Sequence, residues 1–377
     1  MKITLFILGI IISLLIQYRV SKIYKIVGSL IILLIAIYLI ADFSLTNWDN
    51  ANYFYNYYTI GFTGTSTSEV GFVLLNKLAI YFNFDYFGFR VAYSAFFSIL
   101  LFIAVSKLTD NLGFFYFFYF LYPIFKDAEQ LRMFGATSLI IVGLTYICKK
   151  NPNYLIYTLF NILAITIHSS ATYFLLIILS GIPINFRKNF QKIIFTTVVL
   201  SCGLLLINRD IFGGVFQNVL LTLNPEKSER YIDSSSNFGF LAPYGIFILN
   251  FVLTNYVRKS TVQSNSSETN KVVYSVKNLN STYVDEILNE QISYVFYYLA
   301  IISLASLPLL MMNLHFYRIG KSIFVFSLIY YSYMYKNVKN KIVLVFLILL
   351  IIALYFIFDF YIFGTIEENL STLFMTD

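Results

Sequence analysis

Charge is scarce in this sequence. Only 12% of its 377 residues are Asp, Glu, Lys or Arg, against about 25% in a typical soluble domain. That is too little to coat a water-facing surface, which excludes a soluble globular protein. Cysteine is nearly absent as well. Cys148 and Cys202 both fall in apolar stretches without a CxxC partner, so no disulfide framework or cysteine metal cage is implied. Several signatures are missing. There is no Walker A loop for ATP-driven transport and no HExxH or Cys/His spacing for zinc. No GxSxG elbow marks a serine hydrolase, and no DxD-type pair stands out as a nucleotide-sugar metal site. No cofactor is called for.

Apolar and aromatic residues are abundant. The chain is 59% hydrophobic, with 40 Phe and 32 Tyr but one Trp. Such a composition suits lipid-facing surfaces and interfacial belts, and a long sugar or lipid groove could use the same rings. The net charge of +7 does not indicate nucleic acid, because Lys and Arg between apolar runs set membrane orientation.

A spanning helix needs about 20 mainly apolar residues. Candidate segments are 2–18, 26–41, 87–106, 112–125, 133–148, 154–167, 171–184, 193–207, 243–257, 291–311, 319–335 and 342–358. The expected fold is therefore all-α: a polytopic integral membrane protein of about 12 transmembrane helices, forming a single membrane domain over 1–377. The first apolar run is followed by Tyr18, Arg19 and Lys22 rather than a small-residue cleavage site, and reads as a retained helix. The stretch 70–83 is short and holds Asn76 and Lys77, which suits a re-entrant segment or a broken helix.

Basic clusters give the orientation. Arg19, Lys22 and Lys25 follow the first helix; Lys149 and Lys150, then Arg187, Lys188 and Lys192, then Arg258 and Lys259, then Lys336, Lys339 and Lys341 come later. With the first cluster in the cytoplasm, all the later ones lie there too if 70–83 is re-entrant and 154–184 is a hairpin. Two long polar segments, 42–69 and 208–242, then form outer loops. The Asn- and Ser-rich segment 258–290 forms a cytoplasmic loop that reads as a flexible linker. No internal repeat is visible, which weakens a transporter reading.

Isolated polar residues near apolar runs gather on the outer face in this topology, and such residues are expensive in a membrane. They are Asp49; Glu69; the run Asp127, Glu129, Gln130 and Arg132; His168; Arg230 beside Tyr231; and His315 with Arg318. Each has an ordinary alternative. Arg132 can pair with Glu129 one turn earlier. His168 can bond a carbonyl at a hairpin turn. Arg318 and Lys321 can anchor an interface. Asp49 and Glu69 can cap loops, and the Glu226–Asp233 run can be a solvated loop. As a set they suit a different chemistry. Two arginines grip a pyrophosphate through bidentate, charge-assisted hydrogen bonds, and a nearby carboxylate or His activates a sugar hydroxyl.

The order of motifs resembles a known family. An acidic-aromatic segment from Asp49 to Tyr58 is followed by Glu69-Val-Gly-Phe-Val-Leu-Leu-Asn76, by Gln130-Leu-Arg-Met-Phe-Gly-Ala136, by Ile167-His-Ser-Ser-Ala171 and by Tyr317-Arg318. The pattern looks like the EpsG-like branch of the Wzy-type polysaccharide polymerases, over roughly residues 40–335. Met133 stands where that family often has Gln, and Gln130 precedes the arginine instead. The resemblance implies a GT-C-like fold in a bacterial cytoplasmic membrane, without metal or nucleotide. It also implies joining of undecaprenyl-pyrophosphate-linked oligosaccharide repeat units on the outer face.

On that reading Arg132 and Arg318 hold pyrophosphate, and His168, Glu69 or Asp49 serves the reacting hydroxyl. Gln130, Ser169, Arg230, Tyr231, His315 and Tyr53 complete substrate binding. A flippase and a chain-length regulator of the same pathway are candidate partners, alongside membrane lipid. Two other functions compete: a flippase or transporter of lipid-linked glycan, and a transferase adding one sugar from a polyprenyl phosphate. The topology has a direct test. Single cysteines at Asn56 and Ser235 should react with an impermeant thiol reagent in intact cells, whereas those at Asn151 and Asn265 should react only after permeabilisation. Labelling at Asn151 in intact cells overturns the orientation.

Overall fold

The computed structural model describes residues 2–18, 21–41, 47–182, 184–207, 240–269, 279–312 and 316–359. Among them every regular element is helical. In chain order these are α1 (Lys2–Gln17), α2 (Lys22–Ala41), α3 (Trp48–Thr63), α4 (Val70–Tyr81), α5 (Tyr86–Leu108), α6 (Leu112–Leu121), α7 (Pro123–Glu129), α8 (Leu131–Ile147) and α9 (Tyr154–Ile167). A 3-10 helix, η1 (Ser169–Gly181), follows, then α10 (Ile184–Ile207), α11 (Leu241–Thr269), α12 (Leu279–Ala305), α13 (Leu307–Met312), α14 (Tyr317–Met334) and α15 (Lys341–Phe358).

Among the described residues four segments are long and apolar enough to cross a membrane: Lys22–Ala41, Tyr86–Leu108, Asn289–Met311 and Lys341–Phe358. Asn289–Met311 is 78% buried while Lys341–Phe358 is only 33% buried, so the first is central and the second peripheral. The outward faces carry Leu34, Val91, Phe96 and Phe346, all exposed. A contiguous apolar surface of this kind is an aggregation hazard in water, and a bilayer solvates it. α14 lies innermost, buried along almost its whole length.

Several expected segments take a different form. The run 112–125 is two helices, because Tyr122 leaves helical geometry at φ −146° and ψ −57° and Pro123 opens the next helix. The run 171–184 is wound as η1, with its 13 residues in 3-10 geometry. At about 2.0 Å per residue rather than about 1.5 Å, that winding lets a short segment reach further across the layer. The segment 42–69 contains α3, capped by the Asn47 side chain at its start and by left-handed Gly64 at its end. The presumed linker 258–290 is helical to Thr269 and again from Leu279. Segment 208–239 lies outside the described residues.

One end of the bundle is tied together by Arg90, which is fully buried. Its Nε donates to the carbonyl of Ala41 (2.8 Å), and Nη2 donates to the carbonyls of Ile40 (3.0 Å) and Ala128 (2.7 Å). Nη1 donates to Asn50 Oδ1 at 2.6 Å, an atom that also accepts the Tyr86 hydroxyl at 2.5 Å. The last carbonyls of a helix have no partner within it, and a guanidinium offers five donors in a fixed fork. Arg90 thereby satisfies the ends of α2 and α7 while holding the start of α3. The ends of α2 and α7 and the starts of α3 and α5 thus meet at one level.

Each buried carbonyl left without a donor costs about 1–3 kcal/mol. Arg90→Met should therefore destabilise the detergent-purified protein by about 3 kcal/mol or more. Arg90→Lys should recover little of this, since it keeps the charge but loses the fork. Unchanged thermal unfolding in both variants would remove Arg90 from this role.

Candidate functional site

Besides α5, five helices begin at this same end, and each places a charged or hydroxyl side chain at its start. Asp49 and Arg132 are second in α3 and α8, and Arg318 is second in α14. Glu69 is the residue before α4, and Ser169 opens η1. Helix starts carry partial positive charge and unpaired N–H groups, which favour anions.

These side chains meet. Arg132 Nη1 donates to Glu69 Oε2 at 2.6 Å, and Glu69 Oε1 accepts from the Ser169 backbone N–H (3.2 Å) and hydroxyl (2.9 Å). The Arg132 guanidinium lies against two aromatic rings, 5.4 Å from the centroid of Tyr53 and 5.7 Å from that of Phe72. Arg318 Nη2 lies 3.4 Å from Asp49 Oδ2. Tyr53 sits within the fields of Asp49, Arg132 and Arg318 together, and so joins the two ion pairs. Burial, reinforced by the Asp49 carboxylate, pushes the Tyr53 phenol up to about 12, so its hydroxyl stays protonated.

The motifs have local structural reasons. Gly71 lies against the end of α9: a Cβ there would meet Thr166 Oγ1 at 2.3 Å and the Thr166 carbonyl at 2.8 Å. This close approach brings Glu69 to Ser169. Asn76 Nδ2 bonds the carbonyl of Phe72 at 2.6 Å, one turn earlier in α4. Gly135 makes room for Tyr93, whose hydroxyl oxygen would lie 2.1 Å from a Cβ. His168 caps η1, with Nδ1 accepting the Ser170 N–H at 3.1 Å. A neutral ring held this way keeps its proton on Nε2 and presents a donor there, not a proton acceptor.

Beneath this layer is a second, fully buried one. Lys321 Nζ donates to Asp127 Oδ1 (2.7 Å), and Tyr119 donates to Asp127 Oδ2 (2.7 Å). Lys126 pairs with Glu129 at 2.9 Å and with Asp359 at 3.4 Å. Tyr122 and Tyr317 each donate to Asp359 at 2.5 Å. Lys321 is thus an interior residue rather than an interface anchor. Glu129 belongs to Lys126, and Arg132 pairs with Glu69 instead.

The two layers differ in completeness. Asp49 Oδ2, Gln130 Oε1, Arg132 Nε and Arg318 Nε are buried without a hydrogen-bond partner. Unmet groups of this kind ask for an explanation, and these four stand where the helix starts converge. The structure therefore brings together Asp49, Tyr53, Glu69, Arg132, Ser169 and Arg318, with His168 next to Ser169. Gln130 is buried at the break between α7 and α8. Arg230, Tyr231 and His315 lie outside the described residues. Arg90 and Asp359 were missed from sequence, although a lone Arg inside the apolar run Tyr86–Leu108 was a usable signal. Among the described residues no group of three or more His, Cys, Asp or Glu is placed to hold a metal ion.

A model of the EpsG family matches residues 27–371. The chain belongs to the EpsG family. Curated proteins and solved structures supply no match. The EpsG family is associated with polysaccharide biosynthesis, and the apolar helices of this EpsG-family chain mark it as a membrane protein.

The approach of α4 to α9 can be tested without reference to activity. Gly71→Ala should cost about 1–3 kcal/mol, as overpacking does. Gly61→Ala, whose Cβ would meet only Ile80 Cδ1 at 3.7 Å, should be neutral or slightly stabilising. Equal melting temperatures for the two variants would show that α4 and α9 do not depend on this glycine.

Proposed function

We propose that this protein is a polysaccharide polymerase, joining undecaprenyl-pyrophosphate-linked oligosaccharide repeat units at the outer face of a bacterial cytoplasmic membrane. One observation carries the reading. Two arginines with unused Nε–H groups stand among converging helix starts, beside carboxylates and a protonated tyrosine. Such a site suits a pyrophosphate leaving group. Its charge grows as the sugar–oxygen bond breaks, and fixed guanidinium groups stabilise that charge best where water is scarce.

On this reading Arg132 and Arg318 bind the two phosphates through the Nε–H groups that are unused in the free site. Glu69 is held by Arg132 and Ser169 and orients that arginine. Asp49, paired only loosely at 3.4 Å, receives the proton of the attacking sugar hydroxyl. His168 acts through its Nε2–H as a donor. Gln130, Arg230, Tyr231 and His315 remain candidates for sugar contacts. The membrane arrangement belongs to the same proposal. About 12 elements cross, and α3 and α4 lie along the outer boundary with their apolar faces in lipid, which the shared level of the α2, α3 and α5 ends supports. A GT-C-like architecture, a flippase and a chain-length regulator complete it.

The test is a polysaccharide gel from a deletion strain carrying variants of matched abundance, with binding of purified lipid-linked repeat unit in parallel. Arg132→Lys and Arg318→Lys should each lose about 10²-fold or more of polymer formation, because an ammonium lacks the planar fork. The deletion strain itself should retain a cap of single repeat units; loss of all surface glycan would instead indicate a flippase. Full-length polymer from both Arg132→Ala and Arg318→Ala would end the pyrophosphate assignment.

A further inference from the structure

An apolar groove of about 520 Å³ runs between the first half of α11 and the last turns of α15. Its walls include Ala242, Gly245, Ile246 and Leu249 from one helix and Leu354 and Phe358 from the other. The size falls in the usual range of ligand pockets, about 300–1,000 Å³, but every lining side chain is apolar. A sugar, a nucleotide or a free phosphate would find no partner there.

The position of the groove is informative. Phe358 forms one wall, and its ring packs on Tyr317 with centroids 5.1 Å apart. Tyr317 donates to Asp359 and directly precedes Arg318. The groove therefore ends against the residues that frame the charged site. The rim is open: Leu241, Ile248, Val252 and Ile357 are all exposed. An occupant entering from the lipid phase would have one end beside Phe358, whose ring packs on the residue that precedes Arg318.

We propose that this groove holds the first isoprene units of the polyprenyl chain carried by the pyrophosphate substrate. The proposal rests on the polymerase reading and adds the place of the lipid. An occupant here needs an apolar, linear body joined to an anionic head, and a polyprenyl pyrophosphate has that chemistry. The groove's contribution is positional. Lipid tails are as apolar as the groove walls, so a chain gains little by leaving them; what it gains is a fixed direction of approach to the arginines.

Gly245 makes the test clean. A Cβ at this position would meet nothing within 4 Å, so a larger side chain enters the groove without displacing protein. Helix formation should improve, since Gly is the poorest helix former after Pro. Gly245→Phe should therefore fold normally and block the groove.

The probe is undecaprenyl pyrophosphate with a diazirine on its second isoprene unit, irradiated with the full-length purified chain in nanodiscs. Crosslinks are expected in peptides spanning 241–252, removed by excess unlabelled undecaprenyl pyrophosphate and not by phosphatidylglycerol. Gly245→Phe should lower them about tenfold, a modest fraction of what misplacement of a reacting group costs. In parallel, repeat unit isolated from the deletion strain is presented on its native polyprenyl chain or re-linked to a citronellyl chain. Gly245→Phe should slow polymerisation of the long-chain donor about tenfold and leave the short-chain donor within about twofold.

Crosslinks competed equally by phosphatidylglycerol would make the groove an ordinary lipid contact and overturn the proposal. Absent crosslinks, or equal slowing of both donors, would overturn it as well. Wild-type protein that polymerises neither donor yet gives the competable crosslink would sink the polymerase reading while the groove assignment stands.

Discussion

A single guanidinium, shut away from solvent, sets the arrangement of the end that carries the site. Arg90 meets the last carbonyls of α2 and the end of α7, and holds the start of α3 through Asn50. In an apolar surrounding every such carbonyl must be met by protein. The helices stop where the arginine can reach them. The break after α7 then releases the chain at Gln130 and lets α8 begin with Arg132 facing Glu69. The distance between α2 and α7 in sequence is large, yet their ends are set by one side chain.

Two layers of charge follow from that frame, and they are built for different ends. In the lower layer Lys126, Lys321, Asp127, Glu129 and Asp359 meet one another and three tyrosine hydroxyls. Breaking one partner of such a buried set leaves an uncompensated charge and is costly. A network of this kind keeps the start of α14 from shifting. In the upper layer the pairs leave donors and an acceptor unused. Rigidity below and open valence above give a fixed set of charges with room for another anion.

Much of this was legible in the residues. The runs 154–167 and 342–358 emerge as helices at nearly those bounds, because long apolar stretches leave few alternatives. Glu69, Arg132 and Arg318 stood out because polar groups are costly among apolar neighbours, whereas Ser169 came only with the family motif. The pairing of Arg132 was not legible. Spacing from Glu129 suggested one helical turn, but Gln130 is non-helical at φ −100° and ψ 63°, so the two residues sit on separate helices. α3 was hidden because its Asn and Tyr residues mask an amphipathic pattern. The Arg90 contacts join residues 38 to 50 positions apart, which no local pattern carries. A 3-10 winding cannot be told from an α-helix over 13 residues of this composition.

That winding makes the span from Ser169 to Gly181 a matter of length as well as shape. Relaxing its 13 residues into α geometry would shorten the segment by about 0.5 Å per residue, or about 6 Å in all. One end would have to give. The far end, at Gly181, is packed against the Tyr154 ring, about 3.0 Å from where a Cβ would stand. The near end is held by two hydrogen bonds from Ser169 to Glu69. Glu69 thus holds one end of this segment in place, so the carboxylate that orients Arg132 also fixes where the neighbouring helix begins.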